Sequence, residues 1–186
     1  MTNLLEFFQT LTDEIDKGEP MDMLYLDFKK AFDKVPHHRL SMKLRALGIG
    51  GELARWIENW LNGRKQKVVL NGEESDWVQV TSGVPQGSVL GPLLFVIFIN
   101  DINEGLVNRI WKFADDTKVL GRVSSQKEIS DLREDVKKLV EWSLKWQMEF
   151  NVEKCKVMHV GSKNPRATIE MGGKKIVETK KGKDLA

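Results

Sequence analysis

Three aspartates have the surroundings expected of a site for phosphoryl-transfer chemistry. Asp115 and Asp116 follow the pair Phe113-Ala114, at a point where the chain can turn between two short strands. Asp27 follows the apolar run Leu24-Tyr25-Leu26, and a charge at the end of a buried strand needs a partner or a metal. Carboxylates that meet at one sheet edge suit Mg²⁺. Two such ions can clamp the attacking and leaving oxygens of a phosphoryl transfer.

A plainer interpretation stays open, because most Asp-Asp pairs are solvated turns. In that interpretation Asp27 forms a salt bridge with Lys29 or Lys112, and the pair at 115–116 is only a polar turn. The two interpretations differ electrostatically. Three carboxylates within a few ångströms repel one another and raise at least one pKa, and a divalent cation removes that penalty.

The remaining pattern predicts the elements that must position these residues. Helical spacing of apolar residues, short β-rich runs and Gly/Pro breaks give an alternating series of helices and strands. The predicted helices are 4–15, 36–47, 53–61, 89–103 and 126–147, and the predicted strands are 21–28, 67–70, 77–81, 108–112, 117–120, 156–160, 167–170 and 175–177. Such a series predicts one α+β domain over residues 1–186, an antiparallel sheet with helices packed on one face.

Composition sets limits on the function classes. The 29 basic and 27 acidic residues leave a net charge of only +2, a weak footprint for a nucleic-acid enzyme. The longest apolar run, 89–99, is too short to span a bilayer and predicts a buried element. The single cysteine, Cys155, excludes an internal disulfide and is expected to be a buried strand thiol. The start of the chain lacks a secretory pattern, which predicts an intracellular protein of the nucleus or cytoplasm.

Four longer motifs carry a family resemblance. In chain order they are YLDFKKAFDKVPHHRL (25–40), SGVPQGSVLGPLLF (82–95), FADDTK (113–118) and WSLKWQMEFNVEKCKVMHVG (142–161). Together they resemble the reverse transcriptase palm of non-LTR, LINE-type retrotransposons, and the resemblance covers about residues 2–183. It implies an RNA-directed DNA polymerase that uses two Mg²⁺ ions, or Mn²⁺. It also implies an RNA template, a DNA primer and deoxynucleoside triphosphates as partners.

The resemblance assigns metal-binding roles residue by residue. Asp27 and Asp115 match the aspartates that bind both ions directly, and Asp116 matches a more peripheral one. All three are therefore the expected catalytic residues. Phe28 would contribute only its backbone carbonyl to a metal.

Four further residues match substrate-binding positions of the family. Phe32 matches the residue under the incoming sugar, where a ring clashes with a 2′-hydroxyl and favours deoxynucleotides. Gln86 and Gly87 match the loop that contacts the incoming nucleotide and the template, because glycine permits close approach and an amide both donates and accepts. Lys154 matches a lysine near the triphosphate. A core phenylalanine, a simple turn and an exposed lysine are the structural alternatives.

Other polar clusters receive weaker interpretations. Arg64-Lys65-Gln66-Lys67 is a basic cluster that either contacts phosphate or forms a solvated hairpin edge. His37-His38 lacks partners with zinc spacing and is expected to be structural. Trp56 and Trp60 are expected on a core face rather than in base stacking.

Two other functions remain as hypotheses. The family's fingers and thumb regions are not recognisable in this sequence, so it is expected to be a partial palm from a truncated copy, with little activity alone. A catalytically inactive remnant, or a nucleic-acid-binding module that keeps the palm fold, is the alternative. An RNA-directed RNA polymerase is disfavoured by Phe32, since a gate against the 2′-hydroxyl has no use with ribonucleotides.

Overall fold

A five-stranded sheet carries the positions of the predicted carboxylates. The computed structural model describes residues 2–180. The helices are α1 (Thr2–Asp16), α2 (Ala31–Lys34), α3 (His37–Ala46), α4 (Gly51–Leu61), α5 (Leu90–Phe98) and α6 (Gln126–Trp146), with a 3₁₀ turn at Asn100–Asn103. The strands are β1 (Met21–Leu26), β2 (Lys65–Gln66), β3 (Val69–Leu70), β4 (Glu73–Glu74), β5 (Val78–Gln79), β6 (Arg109–Phe113), β7 (Asp116–Arg122), β8 (Lys156–Val160), β9 (Glu170–Met171), β10 (Lys174–Lys175) and β11 (Val177–Glu178). The predicted α+β fold class is confirmed.

The order of strands in this sheet is β11-β8-β1-β7-β6. β1 is antiparallel to both β7 and β8, and only the short β11 runs parallel to its neighbour β8. The strand that leads to Asp27 is therefore central, with a partner on each side. Its residues are almost fully buried, which explains why all of them except Asp22 are apolar or aromatic.

Both faces of the sheet receive a helix. α6 packs on one face, where a Cβ added at Gly121 would lie 3.1 Å from Leu132. Helices were expected on one face only, and α1 adds a helix on the second. On the other face α1 places Phe7 in a cluster with Met21, Met23 and Leu120. The helical repeat of α1 and the two-residue repeat of the strands meet in this cluster, so apolar surface is buried on both sides of the sheet.

The chain divides into two compact units. Unit 1 comprises residues 1–29, 101–145 and 149–186, and contains α1, the five-stranded sheet and nearly all of α6. Unit 2 comprises residues 30–100 and 146–148, and contains α2 to α5 and the short strands β2 to β5. Among residues 2–180, no helix is both long and apolar enough to span a membrane.

A buried lysine organises part of the core of unit 2. Lys43 is 6% exposed, and its ammonium donates to the carbonyl of Phe98. The same ammonium lies 3.9 Å from the centroid of the Trp146 ring and 4.7 Å from that of Phe98. The hydrogen bond and the two ring faces replace the hydration that the ammonium gives up on burial.

Two expectations for unit 2 are wrong. Trp56 is 55% exposed and stacks on Trp60 at 6.4 Å, while the core side of α4 is formed by Ala54 and Ile57. The apolar stripe includes Trp56, but the helix turns it outward. The run at 89–103 is not one buried helix, because Val89 is 96% exposed and a 3₁₀ turn follows α5.

The region between α4 and α5 is an arm of two small hairpins. β2 pairs with β5, and β3 pairs with β4 around the turn Asn71-Gly72. Asn71 and Gly72 both have positive φ, as a tight two-residue turn requires. The turn was predicted at the right residues, but the continuous strands 67–70 and 77–81 were wrong. The ladder is interrupted where the amide of Val68 donates to the Ser75 hydroxyl, at 2.9 Å, instead of to a backbone carbonyl.

Candidate functional site

The Asp-Asp pair lies at a tight hairpin between β6 and β7. Phe113 pairs with Asp116, which leaves only Ala114 and Asp115 in the turn. Ala114 has φ 51°, a left-handed conformation that costs a non-glycine residue about 1 kcal/mol. The hairpin predicted around these residues is confirmed. It places Asp115 at the tip and Asp116 at the first position of β7.

The register of β1 brings Asp27 level with Asp116. Leu26 pairs with Thr117, so the next residue of each strand faces the other across the ladder. The carbonyl oxygen of Asp27 accepts a hydrogen bond of 2.7 Å from the amide of Asn151. This bond fixes the backbone where β1 ends.

A cavity of about 460 Å³ joins several of the predicted residues. Asp27, Asp116 and Lys154 all line it. The other lining residues belong to β1, β7, β8 and the segments beside them: Tyr25, Leu26, Thr117, Lys118, Glu153, Lys156 and Thr179. Asp115 is half-buried at the hairpin tip and does not belong to this lining.

The donor set fits a magnesium site in which water and substrate supply several of the ligands. Among residues 2–180, no three Asp, Glu, His or Cys side chains are grouped closely enough to enclose a metal. Mg²⁺ does not require such a cage, because it keeps several waters and takes one or two carboxylates together with substrate phosphate. Asp27 and Asp116 on one cavity are compatible with that requirement. The metal roles of Asp27, Asp115, Asp116 and Phe28 all stay predictions.

Phe28 is held firmly by aromatic neighbours. Its ring stacks on Phe150 at 4.6 Å and lies 6.2 Å from Trp142, and it is 4% exposed. A bridge between Phe28 and Phe150 continues the sheet one step past β1. The side chain is thus a core group that anchors the residue after Asp27.

Two lysines next to the carboxylates were missed by the sequence analysis. Lys118 and Lys156 both pair with Tyr25, one from each neighbouring strand, and all three side chains line the cavity. Lys118 is 2% exposed, and its ammonium lies 4.8 Å from the Phe7 ring and 5.3 Å from the Tyr25 ring. The signal was available: Lys118 is two residues after Asp116, so strand alternation puts both on one face.

Lys154 reaches the cavity from a turn. The amides of Lys154 and Cys155 both bond to the carbonyl of Asn151, at 2.9 and 3.0 Å. The turn leaves Lys154 exposed while Cys155 is fully buried. The predicted burial of the thiol is confirmed, but its predicted place in a strand is wrong, because β8 begins at Lys156. Burial raises the pKa of Cys155, which keeps the thiol protonated and unreactive.

Lys29 and Lys112, which the plainer interpretation pairs with Asp27, both have other polar partners. Lys29 forms its ion pair with Glu149, at 3.1 Å. Lys112 donates to the side-chain oxygen of Asn103 at 2.9 Å, and partial burial lowers its pKa.

The other predicted substrate residues belong to unit 2. Phe32 is half-buried and stacks on Phe95, with ring centroids 4.6 Å apart. Gln86 and Gly87 lie in the loop before α5, and Gly87 has φ 82°. The loop is tight, because a Cβ at Gly91 would lie 2.2 Å from the carbonyl oxygen of Pro85.

His37 has a structural contact in the same unit. Its Nε2 donates to the carbonyl of Gly83 at 2.8 Å, which joins the start of α3 to the loop before α5.

Comparison with known proteins identifies relatives along most of the chain. It is 34% identical over 152 residues to the "RNA-directed DNA polymerase from mobile element jockey" of Drosophila funebris, a match that covers 77% of this chain and 16% of that protein. It is 31% identical over 145 residues to the "Probable RNA-directed DNA polymerase from transposon X-element" of Drosophila melanogaster, covering 75% and 16%. The chain thus spans about a sixth of the length of these relatives.

Solved structures show the same fold at low identity. Apo telomerase from Candida tropicalis aligns with a TM-score of 0.60 at 13% identity, over 90% of this chain and 36% of that one. The telomerase of the same species bound to a fragment of telomeric RNA aligns with a TM-score of 0.63 at 12% identity, over 88% and 30%.

Residues 5–181 match the family described as "Reverse transcriptase (RNA-dependent DNA polymerase)". This family uses divalent metal ions and acts on nucleic-acid templates and nucleotides. With a match along nearly its whole length, together with the palm fold and the paired carboxylates, the chain belongs to the reverse transcriptase family.

Proposed function

We propose that this chain is the catalytic palm of a non-LTR retrotransposon polymerase, which adds deoxynucleotides to a primer 3′-hydroxyl on an RNA template. The observation that carries the proposal is the alignment of Asp27 with Asp116 at the end of the central strand pair, on one cavity with Lys154. Two carboxylates beside several lysines can hold both the cations and the phosphates of a nucleotidyl transfer.

In unit 1 the carboxylates would bind the metal ions, and the lysines would bind the phosphates. Bound Mg²⁺ ions would supply the positive charge that activates the hydroxyl and stabilises the leaving pyrophosphate. Asp27 and the pair Asp115-Asp116 would hold those ions. Lys154 and Lys156 would neutralise the phosphate oxygens that gain charge during transfer. Because the carboxylates sit on paired strands, their separation is set by the sheet rather than by a loop.

Three residues of unit 2 match the family's substrate-binding positions, and we propose those roles for them. Phe32 stacks on Phe95, and by the resemblance its ring would exclude a 2′-hydroxyl. Gln86 would offer its amide to the nucleotide or the template, and Gly87 would let the strand approach the backbone.

Metal binding can be tested on this chain alone. Millimolar Mg²⁺ or Mn²⁺ is expected to raise the melting temperature, because the ions bind the folded carboxylate site and not the unfolded chain. Asp27→Asn, Asp115→Asn and Asp116→Asn should each shrink the shift. Asp76→Asn is the matched control, since Asp76 is exposed on the arm and does not line the cavity. An undiminished shift in all three site variants would place the bound ions elsewhere.

Catalysis is tested in a chimera that replaces the corresponding segment of a related retroelement polymerase. We expect primer extension on an RNA template, and its loss with Asp115→Ala. A well-folded chimera that does not extend the primer would contradict the proposal. It would favour the alternative, a non-catalytic module that retains the palm fold.

A further inference from the structure

The ring of Phe32 stacks on a phenylalanine of α5. The two ring centroids are 4.6 Å apart and the ring planes are inclined by 22°, so Phe32 and Phe95 form a stacked pair. Phe95 is fully buried, whereas Phe32 is half-buried and keeps part of its surface accessible. The buried ring is therefore the support of the pair, and the half-buried ring is the one that a ligand can reach.

Phe95 belongs to the buried side of α5. The buried residues of this helix are Gly91, Leu94, Phe95 and Phe98. The first turn of the helix is tied to the loop before it, because the amide of Gly91 donates to the Ser88 hydroxyl at 2.9 Å. The Ser88 hydroxyl in turn donates to the carbonyl of Pro85 at 2.8 Å. Since protein interiors are densely packed, a ring in this position moves only together with its neighbours.

The backbone that carries Phe32 is held by the same loop. The amide of Val84 donates to the carbonyl of Phe32 at 2.7 Å, and the amide of Gly83 donates to the carbonyl of Val35 at 2.8 Å. A Cβ at Gly83 would lie 2.7 Å from the backbone of Asp33, an approach that only glycine permits. With the main chain held in this way, the remaining freedom of Phe32 lies in its side-chain torsions, and the stack on Phe95 restricts those.

We propose that Phe95 is a positioning residue that determines how strongly the polymerase prefers deoxynucleotides to ribonucleotides. The inference rests on the proposed function, in which the Phe32 ring excludes a 2′-hydroxyl. Phe95 is fully buried, so it acts through Phe32 and not on the substrate. Exclusion of one hydroxyl group depends on where the ring stands, and a displacement of about 1 Å is enough to change such a contact.

The proposal concerns the ratio of two rates and not activity as such. Loss of a merely structural support would lower kcat/KM for both nucleotide classes together. Loss of the support of the ring would raise kcat/KM for ribonucleotides and leave that for deoxynucleotides nearly unchanged, because only ribonucleotides carry the hydroxyl that the ring excludes.

The matched variants are Phe95→Leu and Phe98→Leu. Both remove a fully buried ring from the same helix, so both should lower the melting temperature by similar amounts. Phe98 packs edge-on against Trp146, with ring centroids 6.2 Å apart. In the chimera with a related retroelement polymerase, Phe95→Leu should reduce the preference for dCTP over CTP roughly tenfold, and Phe98→Leu should leave it within about twofold. An equal reduction in both variants would overturn the proposal.

A double-variant cycle tests whether Phe95 acts through Phe32. Once Phe32→Ala has removed the ring, adding Phe95→Leu should change the preference by less than about twofold, because no ring is left to position. Fully additive effects would mean that Phe95 acts by another route, which contradicts the proposal.

The position of the ring can also be measured in this chain without catalysis. A para-fluorophenylalanine in place of Phe32 reports the surroundings of the ring through its fluorine NMR signal. We expect Phe95→Leu to shift this signal and Phe98→Leu to leave it nearly unchanged, since only the first variant removes the stacked neighbour. An unshifted signal in well-folded Phe95→Leu would refute the positioning role. Absence of primer extension in every chimera would count against the proposed function, while the fluorine signal would still decide the role of Phe95.

Discussion

At the scale of single residues, the site combines two carboxylates with a buried cation. Lys118 lies under α1 against Phe7 and Tyr25, on the same cavity as Asp27 and Asp116. A buried ammonium on this cavity would offset repulsion between the carboxylates before any metal binds. It would also compete with the metal for them, and would thereby set how strongly the stability of the site depends on divalent ions.

Lys118→Met should make the stability of the fold more dependent on metal. Methionine keeps the approximate shape of the apolar part of the lysine side chain. It removes the positive charge that would offset the negative charges of Asp27 and Asp116. We expect the Mg²⁺-induced rise in melting temperature to exceed that of the unaltered chain by about 2–4 °C, equivalent to about 1 kcal/mol. Lys118→Arg, which keeps the charge, should restore the original dependence. Equal shifts in the methionine and lysine forms would show that this lysine does not act on the carboxylates.

Part of the site could be predicted from single residues, and part could not. Asp27 and the Asp-Asp pair stood out because charges at strand ends and turns are conspicuous against apolar runs. Lys118 did not, since a lysine between a threonine and a valine resembles an ordinary exposed strand residue. Its burial comes from α1, more than a hundred residues away in the sequence, and local patterns carry no information about that contact.

At the scale of elements, a carboxylate on α6 holds the start of the β6–β7 hairpin. Asp135 is fully buried, and its two oxygens accept hydrogen bonds from the amides of Val107 and Asn108 at 2.9 and 2.8 Å. The side-chain amide of Asn108 adds a third bond at 2.8 Å. The hairpin that carries Asp115 and Asp116 is thus fastened at its base to the long helix.

Asp135→Ala should destabilise the fold strongly, because it leaves buried donors without an acceptor. The expected decrease in the free energy of unfolding is about 3 kcal/mol, measured in urea. Asp135→Asn keeps one acceptor oxygen and should cost less. The neighbouring Glu134→Gln is the control: Glu134 is exposed, and its change should stay within about 0.5 kcal/mol. Similar decreases at positions 134 and 135 would contradict this role.

The attachment of α1 to the sheet should depend on pH. A hydrogen bond from Lys17, at 3.0 Å, and an ion pair with Arg122 of β7 lower the pKa of Glu14 from its ordinary value of 4.5. A carboxyl whose folded pKa is depressed stabilises the fold above its unfolded pKa. That stability is lost as the pH falls through the folded pKa.

Glu14→Gln is therefore expected to lower the melting temperature at pH 7 by about 2–4 °C. The difference should shrink as the pH falls through the lowered folded pKa, because the glutamate side chain then becomes as uncharged as the glutamine. Glu6→Gln, on the exposed side of the same helix, should have no such pH-dependent effect. A difference that persists in acid would mean that the glutamate acts by packing rather than by charge.

The long, periodic elements were predictable, while short pairings were not. The helical spacing of apolar residues predicted the bounds of α6 to within one residue. Over its 21 residues, single positions that break the apolar pattern have little effect. The arm from Lys65 to Gln79 has two-residue ladders whose register depends on turn geometry and on very few hydrogen bonds. Trp56 and Val89 show the same limit: periodicity marks an apolar face without saying what covers it.

At the scale of the whole molecule, the charge is nearly balanced. With a net charge of +2, the surface as a whole attracts polyanions weakly, so any nucleic-acid affinity has to come from local groups. We expect the chain to leave a heparin column at no more than about 200 mM salt, since few phosphate contacts mean a shallow salt dependence. Retention at several times that concentration would reveal a basic surface far larger than the cavity described above.

The central place of β1 in the sheet has a consequence for folding during synthesis, because both of its partner strands come much later in the sequence. β1 is complete at Leu26, but its partners end at Arg122 and Val160. At translation rates of about 5–20 residues per second, this central strand waits on the order of ten seconds for both neighbours. Most of unit 2, residues 30–100, is synthesised during that interval as one continuous segment. Until both neighbours have been made, the apolar strand lacks its partners in the sheet, so we expect aggregation to compete with folding during this interval.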